Sequence, residues 1–291
     1  MTVWNLGSIN ADIVYDVPHL PAPGETLAAN GVARFLGGKG ANMSVAAARA
    51  AAHVVHIGAV GEDGKWAIER LTEYGVDTRF IAVAAEPTGH AIIAVDQAGE
   101  NLIVLYPGAN RAISTDEIGL ALTDASPGDI LLMQNETNAQ AKAAGIARAL
   151  GLKVCYAAAP FEAETVRELL PVIDTLFMNE VEAAQLAEAT GLSPEQLPVD
   201  DVIVTLGARG ARHFDTKSGK TTDFPAIPVT PVDTTGAGDT FTGYVIAGLD
   251  RGMPMEQAVT LATKAAAIMV TRHGTADVIP DLKDVQSFGA P

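Results

Sequence analysis

The sequence has a single cysteine, Cys155, so no disulfide can form within the chain. Disulfides accumulate in oxidising compartments and are rare in the cytoplasm, so this scarcity predicts a cytoplasmic protein. Long apolar runs are also missing, and none approaches the roughly 20 residues that a membrane-spanning helix needs. Residues 1–7 have neither the basic region nor the cleavage site of a signal peptide and are predicted to form a strand. We therefore expect a cytoplasmic protein without a membrane partner.

Positive charge is scarce as well. The chain carries 19 Lys and Arg against 35 Asp and Glu, which gives a formal net charge of -16. This balance weighs against nucleic acid or an anionic membrane surface as a partner. It also means that a phosphate-bearing ligand must rely on local positive elements, namely helix N-termini, a few Lys or Arg side chains, and metal ions.

Residue patterns for two common chemistries are absent. The six histidines are dispersed without an HxxxH or HxH spacing, which argues against a zinc site. No GxSxG nucleophile elbow occurs, and Cys155 lies inside a predicted strand, so covalent acyl transfer has no candidate nucleophile.

Apolar runs of strand length alternate with runs of helical period, and 48% of the residues are hydrophobic, enough for a sizeable core. Strands are predicted at Val3–Leu6, Val54–Val60, Asp129–Met133, Lys153–Ala158, Thr175–Met178 and Val202–Leu206. Helices are predicted at Met43–Ala52, Lys65–Tyr74, Asp116–Leu122, Asn138–Leu150, Val181–Ala189, Phe241–Leu249 and Met255–Val270. This alternation indicates an α/β fold with a central, mostly parallel sheet covered by helices on both faces.

Two segments interrupt the alternation. Ala11–Phe35 contains three prolines and no helical period, and Arg79–Tyr106 is predicted to form consecutive strands with hairpin turns. Together they predict a small β-sheet set apart from the main sheet, a lid formed by about residues 11–35 and 79–106. Ala211–Ile227 is predicted to be a hairpin on the main sheet. The absence of linkers and repeats predicts a single domain over residues 1–291.

The stretch Val232–Phe241, VDTTGAGDTF, is the most informative in the sequence. A strand-like approach ends in small residues, and Asp239 then opens an apolar run of helical length. Glycines allow backbone N–H groups to converge, and a helix N-terminus adds unsatisfied donors with partial positive charge. The pattern predicts a cradle for developing negative charge beside a carboxylate, which suits an acid–base step next to phosphate. The alternative is a tight turn with Asp239 as helix N-cap.

Three groups of residues suit a polyhydroxylated ligand. Gly37–Asn42, GGKGAN, matches neither the GxxxxGK[ST] phosphate loop nor a Rossmann GxGxxG, and we interpret it as a loop whose backbone and Asn42 amide face such a ligand. Asn10 and Asp12, at i and i+2 of an extended segment, face the same side and can hold two vicinal hydroxyls. Glu136 follows a predicted strand and can accept a hydrogen bond from a sugar hydroxyl. The alternatives are, in turn, a helix-start turn, a strand-end turn and a helix cap.

Two further polar segments follow buried strands, at the edge where ligands bind in open α/β sheets. Asn179–Glu182 places carboxylates there, although capping of the next helix is their commoner role. Thr205–Gly210 offers a hydroxyl, glycines and Arg209, which suit nucleotide phosphates but also fit an ordinary β-turn.

In their order and spacing, these motifs resemble those of the ribokinase-like carbohydrate kinases, the PfkB family, over nearly the whole chain. The matching segments are Gly7–Asp12, Pro23–Thr26, Gly37–Asn42, Gly89, Gly99–Asn101, Pro107–Asn110, Gln134, Glu136, Asn179–Glu182, Thr205–Gly210, Asp233–Phe241 and Thr271–Gly274. The resemblance implies an ATP-dependent sugar kinase that phosphorylates the terminal hydroxyl of D-ribose. The alternatives are a nucleoside or another sugar as acceptor and a non-catalytic sugar-binding relative.

The resemblance also implies a role for each matching residue. Asp239 would be the catalytic base, and the anion hole for the transferred phosphoryl would consist of Gly236, Ala237, Gly238 and the Asp239 N–H. The sugar would contact Asn10, Asp12, Gly38, Lys39, Gly40, Ala41, Asn42, Glu136 and Asp239. ATP would lie along Asn179, Thr205, Leu206, Gly207, Ala208, Arg209, Gly210, Gly238 and Thr263.

Two metal ions and a partner subunit are implied in the same way. Asn179 and Glu182 would order Mg²⁺, largely through water. A monovalent cation, K⁺, would be held mostly by backbone carbonyls at Asp233, Thr235, Met269, Arg272, Gly274 and Val278. The lid would close over the sugar and join two subunits into a homodimer.

Overall fold

The computed structural model describes residues 1–288, and the predicted α/β class is confirmed within them. The strands are β1 Thr2–Leu6, β2 Asn10–Asp16, β3 Gly31–Gly37, β4 His53–Val60, β5 Asp77–Val83, β6 Gly89–Val95, β7 Asn101–Tyr106, β8 Ile130–Gln134, β9 Lys153–Ala157, β10 Thr175–Asn179, β11 Asp201–Thr205, β12 Ala211–Asp215 and β13 Lys220–Phe224. The helices are α1 Lys39–Arg49, α2 Lys65–Glu73, α3 Thr115–Leu122, α4 Gln140–Ala149, α5 Ala163–Leu169, α6 Glu180–Thr190, α7 Ala237–Asp250, α8 Met255–Met269 and α9 Leu282–Ser287.

A large sheet of nine strands forms the centre, in the order β13-β12-β11-β10-β9-β8-β1-β4-β5. Its strands from β11 to β5 pair in parallel, and β12 and β13 add the predicted antiparallel hairpin at one edge. Helices α1, α2, α7, α8 and α9 pack on one face, and α3 to α6 pack on the other, each over its own apolar core layer. No helix within residues 1–288 is long and apolar enough to cross a bilayer.

A separate small sheet has the order β3-β2-β6-β7 and contains most of the segments predicted as a lid. The prediction was wrong for Phe80–Val83, because this run belongs to β5 and pairs in parallel with β4 at the edge of the large sheet. The physical reason is the crossover through α2, which returns the chain beside β4. Ile81 then enters the core layer on one face, and Phe80 packs against Trp4 on the other, with ring centroids 6.1 Å apart and the ring planes tilted by 48°.

Helices α1 and α7 each begin four residues before the predicted start, so Lys39–Asn42 and residues 237–239 lie in first helical turns and not in loops. Gly38 precedes α1 with φ 93°, and Gly236 precedes α7 with φ 73°. Only glycine adopts these positive φ values without strain, so a glycine turns the chain into each helix. The short helices α5 and α9 were not predicted.

The N-terminal halves of α1 and α7 are held together by a contact that only glycine permits. A Cβ at Gly243 would lie 2.5 Å from Ala46 Cβ and 2.7 Å from the Met43 carbonyl oxygen. Because real Cβ atoms do not approach so closely, any larger residue must push the helices apart.

We therefore expect Gly243→Ala to lower the free energy of unfolding by about 1–3 kcal/mol, measured by urea denaturation. Gly145→Ala is the matched control, because Gly145 lies in α4 and a Cβ there meets nothing within 4 Å. The control should be neutral or more stable by up to about 1 kcal/mol, as alanine is the better helix former. Equal stability of the two variants would contradict the close-packing argument.

Candidate active site

The polar residues singled out in the sequence converge at the carboxyl ends of the parallel strands. Ser8 follows β1, Glu136 follows β8, and Asn179 ends β10. The N-termini of α1 and α7 lie over the same edge, as the contact between Asn42 and Asp239 demonstrates. This edge is the usual ligand-binding position of an open α/β sheet.

Asp239 occupies the first turn of α7 and is almost fully buried. Asn42 Nδ2, on α1, donates a hydrogen bond of 2.9 Å to Asp239 Oδ2. Asp239 Oδ1 has no hydrogen-bond partner within residues 1–288, so it can accept a proton from a ligand. Since Gly236 is the N-cap, the alternative of Asp239 as N-cap is not what the structure contains.

The start of α7 also supplies donors for an anion. The backbone N–H groups of Gly238 and Asp239 have no acceptor in the described part of the chain, as expected for the first turn of a helix. A buried acceptor, Asn42 Oδ1, is likewise without a partner there. Open donors beside a carboxylate suit a phosphoryl group next to a hydroxyl that loses its proton.

Glu136 is held in place by the turn after β1 and by the start of α1. Ser8 Oγ donates a short hydrogen bond to Glu136 Oε2, and the Lys39 N–H donates to the same oxygen at 3.0 Å. The Gly40 N–H donates in turn to Ser8 Oγ at 3.2 Å. Ser8 was not among the predicted site residues, although it lies between Gly7 and Asn10 in a segment that matches the family.

Asn10 and Asp12 project from β2 of the small sheet. Asn110 is buried, and its Nδ2 donates to Asn10 Oδ1 at 2.7 Å while its Oδ1 accepts the Ile9 N–H at 2.8 Å. The Asp12 carboxylate lies against Gly37, where a Cβ would come within 2.0 Å of Asp12 Oδ2. Sequence reasoning assigned no role to Asn110, because the reach of its side chain to residues a hundred positions away depends on the fold.

Several acidic side chains share this region with one ammonium group. Burial raises the pKa of Asp12 to about 7, and the charges of Glu136 and Asp239 add to the effect. The charge of Asp239 raises the pKa of Lys39, with help from Glu136 and Glu182, and this outweighs burial. Burial also raises the pKa of Glu182. The site is therefore an acidic pocket in which Lys39 provides positive charge.

Asn179 and Glu182 form a capping box at the start of α6, as the capping alternative predicted. The Glu182 N–H donates to Asn179 Oδ1 at 2.9 Å, and the Asn179 N–H donates to Glu182 Oε2 at 2.7 Å. Capping occupies one carboxylate oxygen and leaves Glu182 Oε1 without a protein partner in the described residues. This oxygen fits a role on Mg²⁺-bound water, because Mg²⁺ keeps several waters and prefers carboxylate oxygens.

The segment Thr205–Gly210 makes a short 3₁₀ turn after β11, closed by a hydrogen bond of 2.7 Å from the Leu206 N–H to the Gly210 carbonyl. Arg209 pairs with Glu180, the first residue of α6, and both side chains are exposed. Thr263 lies half-buried on α8, where its hydroxyl donates to the Val259 carbonyl at 2.9 Å. The turn therefore lies at the same sheet edge, but the Thr263 hydroxyl is engaged within its own helix.

The residues predicted to hold K⁺ come from two loops that meet beside α7. Asp233 accepts the Thr235 N–H at 2.9 Å and the Gly274 N–H at 3.3 Å, and these bonds outweigh burial and lower the pKa of Asp233. The Arg272 guanidinium donates to the Val278 carbonyl at 3.0 Å. Within residues 1–288, no three His, Cys, Asp or Glu side chains are arranged so that they could hold a metal ion. A cation here would therefore depend on carbonyl oxygens, which suits K⁺ better than a transition metal.

Comparisons with known proteins agree with this arrangement. Residues 2–282 match the model of the pfkB family of carbohydrate kinases. The chain is 37% identical to a ribokinase of Haemophilus influenzae, over 99% of this chain and 98% of that protein. Among solved structures, the ribokinase of Thermotoga maritima superposes with a TM-score of 0.88 at 32% identity, covering 99% of this chain and 98% of the other. The Arabidopsis thaliana ribokinase complexed with ribose and ATP gives 0.85 at 31%, covering 98% and 97%.

The raised pKa of Asp12 has a consequence for stability. Between its usual pKa of 3.8 and about 7, the folded protein holds a proton on Asp12 that the unfolded chain has lost. The free energy of unfolding must therefore fall as the pH rises through this window. We expect Asp12→Asn to remove this penalty, so that its stability advantage over the parent is larger at pH 8 than at pH 5.

The measurement is urea unfolding of the parent and the variant at both pH values. Asp16→Asn, at the exposed end of the same strand, is the control. An Asp12→Asn advantage that is the same at pH 5 and pH 8 would show that Asp12 keeps an ordinary carboxyl in the folded protein.

Proposed function

The chain belongs to the pfkB family of carbohydrate kinases, and we propose that it transfers the γ-phosphoryl group of ATP to the terminal hydroxyl of D-ribose, giving D-ribose 5-phosphate. The observation that carries this proposal is the first turn of α7. It presents the free Oδ1 of Asp239 beside the open N–H groups of Gly238 and Asp239, with Asn42 fixing the carboxylate.

In this mechanism Asp239 Oδ1 takes the proton of the terminal sugar hydroxyl as the oxygen attacks the γ-phosphorus. The bond between the γ-phosphorus and its bridging oxygen breaks, ADP leaves, and the proton remains on Asp239. The N–H groups of Gly236, Gly238 and Asp239 stabilise the negative charge on the transferred group, whereas the Ala237 N–H, predicted for the same role, donates to the Thr234 carbonyl at 3.3 Å. Such reactions depend chiefly on positioning and charge stabilisation, because the protein has little covalent chemistry to perform.

The sugar is held by the small sheet and the start of α1. Asp12 and Asn10 accept and donate to neighbouring hydroxyls, and Asn110 fixes the orientation of the Asn10 amide. Glu136 is fixed by Ser8 and Lys39 and presents its second oxygen to the ligand. The remaining contacts come from Gly38, Gly40, Ala41 and Asn42.

ATP lies along the neighbouring strand ends, at Asn179, at the turn Thr205–Gly210, at Gly238 and at Thr263. Mg²⁺ would supply positive charge to the phosphates, and Asn179 and Glu182 would order its waters. K⁺ would be held by the loops of Asp233 and Gly274. The positive charge of these cations would offset the repulsion between a polyphosphate and a chain of net charge -16.

Release of ADP is the test, measured with Mg-ATP and K⁺ for D-ribose, 2-deoxyribose, fructose, adenosine, uridine and pseudouridine. We expect selective turnover of D-ribose.

Asp239→Asn should keep sugar binding and lower kcat by roughly 10²–10⁴-fold, as loss of a general base does. Turnover of a nucleoside instead would move the acceptor assignment to the nucleoside alternative, and an Asp239→Asn variant as fast as the parent would refute the mechanism.

We also propose a homodimer joined through the small sheet. All six residues of β7 are exposed, and five of them are consecutive apolar residues: Leu102, Ile103, Val104, Leu105 and Tyr106. An exposed apolar edge strand is an aggregation hazard unless another surface covers it. A second copy of the same sheet covers this surface in the proposed dimer.

Sedimentation velocity should therefore give a dimer for the parent and a monomer for Ile103→Lys. Leu120→Lys is the control, since Leu120 is an apolar residue of α3 that is 64% exposed and lies outside the small sheet. A dimer that survives Ile103→Lys, or a parent that is monomeric, would overturn the proposed interface.

A further inference from the structure

Four polar side chains are buried together in the apolar layer between the large sheet and α1. Asn5, Ser44, His56 and Gln134 are all 0% exposed. Asn5 and His56 are neighbours across β1 and β4, while Ser44 reaches them from the helix. Burying a polar group costs free energy unless the group is hydrogen-bonded. The four side chains are therefore expected to bond to one another or to the backbone.

The hydrogen bonds form a chain with a single direction. Gln134 Nε2 donates to Asn5 Oδ1 at 2.8 Å, and Asn5 Nδ2 donates to Ser44 Oγ at 2.7 Å. The Ser44 hydroxyl can therefore donate its proton to His56 Nδ1, which lies 2.8 Å away. On the other side of the ring, His56 Nε2 lies 3.0 Å from the Gly7 carbonyl oxygen. A carbonyl cannot donate, so Nε2 carries the ring proton and Nδ1 accepts. Burial lowers the pKa of His56 to about 4, consistent with this neutral ring.

The second proton of the Asn5 amide leaves this chain and reaches the glycine motif. Asn5 Nδ2 donates to the Gly40 carbonyl at 2.8 Å, while the Gly40 N–H donates to Ser8 Oγ. Gly40 also packs directly on Gly7, where a Cβ on Gly40 would lie 2.3 Å from the Gly7 Cα. Both polar groups of Gly40 are therefore fixed by residues at the end of β1.

The first turn of α1 carries much of the candidate sugar pocket. In the same turn, the Lys39 N–H immediately before Gly40 donates to Glu136, and the Asn42 side chain two residues after it donates to Asp239. A shift of Gly40 would move both contacts together. The bond from Asn5 is thus the link between the interior of the large sheet and the residues that face the ligand.

We propose that Asn5 is a positioning residue for the sugar pocket, acting through Gly40, with Gln134, Ser44 and His56 fixing the orientation of its amide. This inference rests on the proposed function, because it assigns the pocket to a sugar. An amide suits the position because it offers two donors and one acceptor to Gly40, Ser44 and Gln134. Aspartate would lose both donors, and leucine would remove all three hydrogen bonds that Asn5 makes, to Gly40, Ser44 and Gln134.

The test compares Asn5→Leu with Trp4→Phe. Trp4 is the neighbouring residue of β1, and its Nε1 donates to Asp129 Oδ2 at 3.1 Å on the opposite face of the sheet. Asn5→Leu removes three buried side-chain hydrogen bonds and Trp4→Phe removes one from the same strand, but only Asn5 contacts the glycine motif. We expect Asn5→Leu to raise KM for D-ribose by about 10-fold or more while KM for ATP stays within about twofold. Trp4→Phe should leave both constants within about twofold of the parent.

A merely structural role for Asn5 predicts a different result. Both variants would then melt at lower temperature, and neither would change KM for D-ribose. That outcome, or an equal rise in both Michaelis constants for Asn5→Leu, would overturn the proposal. Should Asn5→Leu fail to fold, Ser44→Ala serves as the second variant, because it removes only the hydroxyl that orients the Asn5 amide. It should raise KM for D-ribose in the same selective way, and an unchanged KM would count against the proposal.

Hydrogen exchange tests the positioning role of Asn5 independently of the proposed substrate. The N–H groups of Gly40, Ala41 and Asn42 are bonded to Ser8 Oγ, the Ser8 carbonyl and the Gly38 carbonyl. In Asn5→Leu they should exchange about 10-fold faster relative to the amides of α4, and in Trp4→Phe they should not. If the parent fails to phosphorylate D-ribose, the substrate assignment falls while this measurement still decides whether Asn5 fixes the glycine motif. Unchanged exchange in Asn5→Leu would refute the positioning role.

Discussion

The hydrogen bond between Asn42 and Asp239 depends on two helices meeting at their first turns, and the rest of the site follows from that meeting. Helix α1 carries Gly40 and Asn42, while α7 carries Gly238 and Asp239. Each helix is entered through a glycine with positive φ, and Gly243 allows the two to approach without a side chain between them. The two glycine motifs, whose residues Asn42 and Asp239 are almost 200 positions apart in the chain, therefore lie on one surface. Neither motif alone would define a reaction, because the carboxylate comes from one helix and the group that orients it comes from the other.

The alternation of apolar runs was sufficient to predict the α/β class and most elements, since buried parallel strands and amphipathic helices have distinct periods. It assigned Phe80–Val83 to the wrong sheet, because an apolar run predicts a strand but not the strand with which it pairs. It also placed the starts of α1 and α7 too late, because glycines lower helix propensity even where one of them begins the helix. Most of the candidate site residues were identified from their position after predicted strands. Asn110, Ser8 and the buried Asn5 were not, because their partners are set by tertiary contacts between distant segments.

The candidate site gathers negative charge in a protein that is already strongly acidic. Asp12, Glu136, Glu182 and Asp239 all act electrostatically on one another or on Lys39. A fold selected only for stability would separate or replace such groups. Their concentration at the end of the sheet is typical of active sites, where stability is lowered in return for chemistry. Most other ion pairs of the described residues lie on exposed surfaces and contribute little.

The pKa of Asp12 near 7 has a further consequence for the energetics of ligand binding. In the proposed complex, sugar hydroxyls that donate to the Asp12 carboxylate would favour its ionised form, so binding would drive a proton from Asp12 into solution when the pH is at or below this value. The heat measured in a titration calorimeter then includes the heat of protonating the buffer. The apparent binding enthalpy would differ between phosphate and Tris, although the contacts with the sugar are the same in both. Binding of the proposed sugar would therefore also release protons into the surrounding solution.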